Sequence, residues 1–156
     1  MDWLMVVLRF VHVVGGVLWV GMMAFTVVFL APAIADVGPE GGKVMAALQR
    51  RRVMTVMPII ALLTIISGAW LMQRVYGGMA GLTASRMGVT LLTGAVAALV
   101  AFLLGVVVMR PAMVRAAVST DPAEIQRLRA RGAAVSRVVA LLLMVAAAAM
   151  AVARYV

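Results

Sequence analysis

The sequence contains no cysteine, and none of its few acidic residues lies within its long apolar segments. The lack of cysteine excludes disulfide bonds, thiolate metal ligands and covalent attachment of a c-type haem to this chain. Proton pumps and ion-coupled transporters commonly carry carboxylates inside the membrane, so the placement of the acidic residues argues against both classes. The sequence also contains no nucleophile triad and no phosphate-binding glycine loop, the motifs that would point to a hydrolytic or a nucleotide-dependent activity.

Charged residues are scarce as well, at 12% of the 156 residues, whereas hydrophobic residues make up 66%. A soluble domain of this length cannot bury so much apolar surface in one core. We therefore predict an integral membrane protein whose single all-α domain covers residues 1–156. Four segments reach the length of about 20 apolar residues that is needed to cross a hydrocarbon layer of roughly 30 Å. These predicted spans cover residues 3–34, 53–73, 86–110 and 132–154.

Most basic residues lie in two of the three connections between the predicted spans. The chain has 14 Lys and Arg and 5 Asp and Glu, a formal net charge of +9. The first connection contains Lys43, Arg50, Arg51 and Arg52, and the third contains Arg110, Arg115, Arg127, Arg129 and Arg131. By the positive-inside rule both connections are cytoplasmic and both termini lie outside, and we expect the bacterial inner membrane. Topology and attraction to anionic headgroups account for the charge, so we expect a lipid bilayer and no nucleic acid as partner.

The two halves of the chain resemble each other at an offset of 79 residues. Pro32 matches Pro111 at this offset, and each proline is followed by a polar turn and then a basic stretch. His12, in contrast, matches Leu91, so only the first half carries a histidine. The pattern predicts a four-helix bundle made of two duplicated helical hairpins, related by an axis along the membrane normal.

The third connection contains a signal for a helix start. Asp121 is a suitable N-cap, Pro122 suits the first helical position, and Glu124 is placed to close a capping box. We expect a helix to begin here and to run through the arginines into the fourth span, so that this helix extends into the cytoplasm. At the start of the third span, Thr83 or Ser85 is the expected cap.

The first connection carries a similar signal. Residues 39–40 are a proline and a glutamate, a pair that favours a helix start. We expect the helix to continue through residues 44–57 into the second span, with a kink at Pro58 near the membrane surface.

His12 is the only histidine, and it lies inside the first apolar span. One helical stripe, within about 40° of His12 on a helical wheel, carries Met5, Gly16, Trp19, Met23 and Leu30. A glycine on this stripe predicts close approach of another helix or of a flat cofactor, so we expect the stripe to face inward. On the second span, Ala61, Thr64 and Gly68 share a face of small residues, which is the expected partner of the His12 stripe.

Two interpretations of His12 follow from its position. A neutral imidazole in a membrane helix can ligate haem iron or copper. It can equally be a packed histidine, hydrogen-bonded to a backbone carbonyl or to Thr64 or Ser67 of a neighbouring helix. One histidine supplies only one axial ligand, so a methionine, a second subunit, a water or an open position would complete a haem site.

Three other residues join the candidate site on the ligand interpretation. Met23 carries a thioether, a ligand that suits Cu(I). Arg9 lies one helical turn before His12 and is a candidate partner for a haem propionate. Gly16, one turn after His12, leaves room for a flat cofactor.

The run from His12 through Trp19 and Gly21 to Phe25 and Pro32 resembles the first helix of the copper-resistance protein D-like membrane family. The first helix is also similar, more loosely, to that of the four-helix, haem-dependent protoporphyrinogen oxidases. Those enzymes place a haem-ligating histidine there, followed by a tryptophan at the spacing of His12 and Trp19. The resemblance implies that His12 is the haem or metal ligand and that Trp19 is a wall of the cofactor pocket.

We therefore expect a membrane protein that binds a b-type haem or copper at His12, in the outer half of the bilayer, for electron transfer or metal handling. The alternative is a small non-catalytic subunit of a larger membrane complex, with His12 packed in a helix interface. Either function is compatible with a homodimer or a larger membrane assembly.

Overall fold

The computed structural model describes residues 2–156, apart from the side chain of Pro39. Within that range the chain is helical and contains no strand. The helices are α1 (Trp3–Asp36), α2 (Gly41–Arg50), α3 (Val53–Tyr76), α4 (Met79–Thr83), α5 (Arg86–Val118) and α6 (Pro122–Tyr155). Helices α1, α3, α5 and α6 are long and apolar enough to cross a membrane. The predicted all-α four-helix membrane bundle is confirmed, and each predicted span lies within one of these helices.

The long helices form an up-and-down bundle. Helix α1 packs along α3, and α5 packs along α6, so each half of the chain is an antiparallel hairpin. The two hairpins meet where α3 contacts α5 and where α1 contacts α6, which closes the bundle. Short connections between neighbouring helices favour this arrangement.

The centre of the bundle is a small cluster to which all four long helices contribute. Its buried members are Trp19 from α1, Ala61 from α3, Ala101 from α5, and Val139 and Leu143 from α6. The alanines let neighbouring backbones approach closely, and the indole fills the remaining space. Many of the large apolar side chains outside this cluster are exposed, as expected for a surface that faces lipid.

The predicted N-caps of α5 and α6 are confirmed, whereas the predicted capping box of α6 is not. Ser85 caps α5, since its hydroxyl accepts a hydrogen bond of 3.1 Å from the backbone N–H of Gly88. Asp121 caps α6, with its carboxylate 2.9 Å from the backbone nitrogen of Ala123. Glu124 does not close a capping box, and this prediction was wrong. Its carboxylate instead accepts a hydrogen bond of 2.7 Å from the hydroxyl of Ser119.

The first connection differs from the predicted continuous helix over residues 44–57. Helix α2 ends at Arg50, and α3 begins anew at Val53. The break is at Arg52, whose φ of 57° lies in the left-handed region that a continuing α-helix cannot contain. The start of α2 is held against the end of α1, because a Cβ at Gly41 would overlap the backbone of Ile34. The chain therefore turns between α2 and α3, and the predicted continuity was wrong.

Helices α1 and α5 share an irregularity that supports the duplication. Each contains a π-helical segment, Thr26–Leu30 in α1 and Gly105–Met109 in α5. The segments are 79 residues apart, the offset at which the two halves of the sequence match. Pro32 and Pro111 follow them, and a proline ring collides with the carbonyl four residues earlier in a regular helix. A wider turn upstream relieves this collision in both halves.

Candidate functional site

His12 contacts α3 through a hydrogen bond to a backbone carbonyl. Its Nδ1 atom lies 2.8 Å from the carbonyl oxygen of Thr64. A carbonyl oxygen can only accept, so Nδ1 carries the hydrogen and donates it. In a neutral imidazole the other nitrogen, Nε2, then has a free lone pair and can act as a ligand or an acceptor.

The hydroxyl groups near this contact bond to their own helix. Thr64 donates its hydroxyl hydrogen to the carbonyl of Ile60, at 2.8 Å. Ser67 lies 2.7 Å from the carbonyl oxygen of Leu63 and 3.1 Å from that of Thr64. The carbonyl of Thr64 therefore has both the imidazole and the Ser67 hydroxyl as neighbours. The packing interpretation allowed His12 to bond to a backbone carbonyl or to the side chain of Thr64 or Ser67. In the structure it bonds to the backbone carbonyl of Thr64.

Gly68 makes room for the imidazole ring. A Cβ atom built on Gly68 would lie 2.6 Å from Cε1 and 2.8 Å from Nδ1 of His12. Real Cβ atoms do not approach other atoms so closely, so any side chain larger than hydrogen would displace the ring. The predicted pairing of the His12 stripe with the small-residue face of α3 is confirmed.

Gly15 and Gly16 differ in how closely they approach the same helix. A Cβ at Gly15 would overlap the hydroxyl of Thr64, whereas a Cβ at Gly16 would be in ordinary contact, 3.8 Å from Cγ2 of Thr64. Of these two glycines, Gly15 is thus the one that lies closer to Thr64 of α3. The helical wheel pointed to Gly16, but of the two residues it is Gly15 whose position leaves no room for a side chain.

Nε2 of His12 has no hydrogen-bond partner among the described residues and is not fully buried. Every fully buried side-chain nitrogen or oxygen among those residues has a hydrogen-bond partner. Nε2 is therefore not fully buried, in agreement with the half-buried state of the whole residue. A polar atom without a hydrogen-bond partner raises the free energy of a protein in hydrocarbon, so we expect Nε2 to bind a partner outside the chain.

Trp19 belongs to the centre of the bundle. It is 6% exposed, and its ring packs edge-on against Phe102 of α5, with the ring centres 6.4 Å apart. It follows His12 by seven residues on a continuous helix, which is a rise of about 10 Å. Trp19 thus packs against the second hairpin, about 10 Å along α1 from the imidazole.

Met23 and Arg9 lie on either side of His12 along α1. Met23 packs against the central cluster and is separated from His12 by a rise of about 16 Å. One metal ion cannot bind both side chains, so the structure does not bring these two candidate ligands together. Arg9 is exposed and lies one turn from His12. Residues 2–156 contain no group of three or more His, Cys, Asp and Glu side chains that could hold a metal ion.

The fold and the site define an integral membrane protein of the four-helix class, with one anchored histidine in its first helix. Comparison of the chain with family models, with curated proteins and with solved structures finds no match. The similarity of the first helix to the copper-resistance protein D-like family therefore stays a prediction from the motif alone.

Proposed function

We propose that the protein binds a b-type haem through Nε2 of His12 and serves membrane electron transfer or metal handling. The observation that carries the proposal is the hydrogen bond from Nδ1 to the carbonyl of Thr64, which leaves Nε2 without a partner among the described residues and not fully buried. Metal-binding histidines almost always donate their second ring nitrogen to such an acceptor, which sets the tautomer and the ring orientation.

The arrangement of Gly68 supports a preorganised ligand. The imidazole is confined between the carbonyl of Thr64 and the backbone of α3 at Gly68. A ring that is already oriented loses little conformational freedom when it binds a metal. The same confinement also fixes which edge of the ring is available.

The ligand count favours haem over copper. A copper ion needs several nitrogen or sulfur ligands from the protein. Residues 2–156 contain no cluster of three or more His, Cys, Asp and Glu side chains, and the candidate thioether of Met23 is separated from His12 by a rise of about 16 Å. A haem brings four nitrogen ligands of its own and needs only one or two from the protein. His12 would supply one of these ligands through Nε2.

Other residues of the predicted site have supporting roles in this proposal. The exposed guanidinium of Arg9 offers a cation for a propionate group. Gly16 leaves the surface beside the imidazole without a side chain. Trp19 packs edge-on against Phe102 and so joins α1 to the second hairpin.

An absorption spectrum and a metal analysis of the purified protein test the proposal. We expect a Soret band and about one iron per chain or per pair of chains in the wild type, and neither in His12→Ala. Gly21→Ala is the matched control on the same helix, because a Cβ there meets no atom within 4 Å. A wild-type protein that is expressed with excess haem and contains no haem iron would contradict the proposal, whether or not it contains copper.

The second candidate function is that of a small non-catalytic subunit in a larger membrane complex. The free Nε2 supports it as well, because a hydrogen-bond donor from a partner subunit would satisfy the same atom. In that case His12→Ala leaves the spectrum unchanged and lowers the free energy of unfolding by about 1 kcal/mol.

A further inference from the structure

The charged side chains are divided unequally between the two ends of the bundle. The end formed by the first and third connections, named the basic end, carries ten of the 14 Lys and Arg. They are Lys43, Arg50, Arg51, Arg52, Arg110, Arg115, Arg127, Arg129, Arg131 and Arg137. All ten are exposed. The remaining four lie towards the opposite end of the bundle: Arg9, Arg74, Arg86 and Arg154.

Few of these cations are neutralised within the chain. Residues 2–156 form two ion pairs, Lys43 with Glu40 and Arg74 with Asp2. None of the nine arginines of the basic end has a carboxylate within ion-pair distance among the described residues. Nine guanidinium groups at one end of the bundle are thus available to an anion from outside the chain.

The repeat places two arginines at equivalent positions in each half. Arg50 and Arg52 are separated from Arg129 and Arg131, respectively, by the same 79 residues that relate the two halves. In the first half they immediately precede α3, and in the second they lie in α6 just before its apolar part. Both pairs therefore lie next to the apolar parts of α3 and α6, which are long enough to cross a membrane.

Helix α2 contributes an amphipathic surface to the same end. Its apolar residues Met45 and Leu48 are half-buried, while Lys43 and Arg50 are exposed. A short helix with apolar and basic faces is typical of segments that lie in the membrane interface. The basic end is thus built to rest in the headgroup layer.

We infer that the basic end binds the phosphate groups of anionic phospholipids, with Arg50 and Arg52 in one half and Arg129 and Arg131 in the other as its two main clusters. Guanidinium groups bind phosphate oxygens in pairs of parallel hydrogen bonds, which a lysine ammonium cannot reproduce. The chain uses arginine for all but one of its basic residues. The inference is independent of haem binding.

A membrane lipid fits this surface better than a soluble anion because of where the arginines lie. The headgroup layer starts at the ends of the hydrophobic spans, and both arginine pairs are at those ends. Anionic lipids are therefore always within reach of the side chains, and the attraction is strongest within one Debye length of the surface.

Lipid retention by the purified protein tests the inference. Titration with phosphatidylglycerol, followed by native mass spectrometry, gives the affinity of the wild type and of Arg129→Gln/Arg131→Gln. We expect about tenfold weaker binding in this variant. Phosphatidylcholine is the reference lipid without net charge. Arg129→Lys/Arg131→Lys keeps the charge but loses the paired hydrogen bonds, so its affinity is expected to lie between those of the wild type and of Arg129→Gln/Arg131→Gln.

Arg86→Gln/Arg154→Gln is the matched control at the opposite end, since it removes the same charge from two exposed arginines. It is expected to bind phosphatidylglycerol like the wild type. Equal losses at the two ends, or an affinity of the Arg129→Gln/Arg131→Gln variant within a factor of about two of the wild type, would overturn the inference. Binding of inorganic phosphate with the same affinity as phosphatidylglycerol would also overturn the inference. Helix content by circular dichroism verifies that every variant is folded.

Discussion

At the scale of single residues, the protein has one histidine and holds it in one orientation. The carbonyl of Thr64 accepts the hydrogen of Nδ1, and Gly68 leaves the space that the ring occupies. Neither contact involves a charged side chain, so the position of the imidazole depends on the close approach of α1 and α3. Substitutions that separate these helices by a small distance should therefore affect His12 first.

Gly68→Ala tests this dependence. The new Cβ would lie 2.6 Å from Cε1 of His12, so the ring must move and the hydrogen bond to Thr64 is lost. We expect a loss of about 1–3 kcal/mol in the free energy of unfolding. Thermal unfolding in detergent measures it, and in a haem-loaded protein the Soret band should weaken in parallel.

Gly16→Ala is the control for this experiment. Its Cβ would be 3.8 Å from Cγ2 of Thr64, an ordinary contact, so the stability should change little. Equal stability of the Gly68→Ala and Gly16→Ala proteins would show that His12 is not confined as described.

At the scale of the elements, the connection between α2 and α3 shows what a sequence pattern leaves undetermined. A continuous helix over residues 44–57 was predicted from the helix-start signal at residues 39–40. The break lies at residues 51–52, between the end of α2 at Arg50 and the start of α3 at Val53. Arg52 adopts a left-handed conformation to make the turn, and no local sequence signal marks an arginine for that role.

Arg52→Gly is expected to be better tolerated than Arg51→Gly. Both variants lose the same side chain, but only position 52 has a positive φ, of 57°. Glycine adopts this conformation freely, whereas for other residues its conformational free energy is higher by about 1 kcal/mol. Arg52→Gly should therefore be more stable than Arg51→Gly by about 1 kcal/mol in chemical or thermal unfolding. The reverse order would mean that the helix does not break at Arg52.

At the scale of the whole molecule, composition and hydropathy were sufficient to predict the bundle. The four apolar segments gave the spans, and Ser85 and Asp121 marked two helix starts correctly. The wheel placed His12 opposite the small-residue face of α3, since helical periodicity fixes which residues share a face. It could not show that Trp19 packs against α5, because the partner of a helix face depends on the assembled bundle.

The proposed orientation, with the basic end in the cytoplasm and both termini outside, has a direct test. The chain has no cysteine, so a single cysteine introduced at an exposed position is the only thiol available for labelling. We expect a membrane-impermeant maleimide to label Val156→Cys in intact cells and to label Val118→Cys only after the cells are opened. Labelling of Val118→Cys in intact cells would show the opposite orientation.

Chemical rescue of the histidine tests the central claim most directly. His12→Gly removes the imidazole, and imidazole added to the solution can occupy the vacated space and supply the missing nitrogen. The measurement is the Soret absorbance of haem titrated into the wild type and into His12→Gly, with and without imidazole. We predict binding by the wild type, none by the variant, and recovery with imidazole. Haem binding by His12→Gly equal to that of the wild type, or no binding by either, would contradict the account.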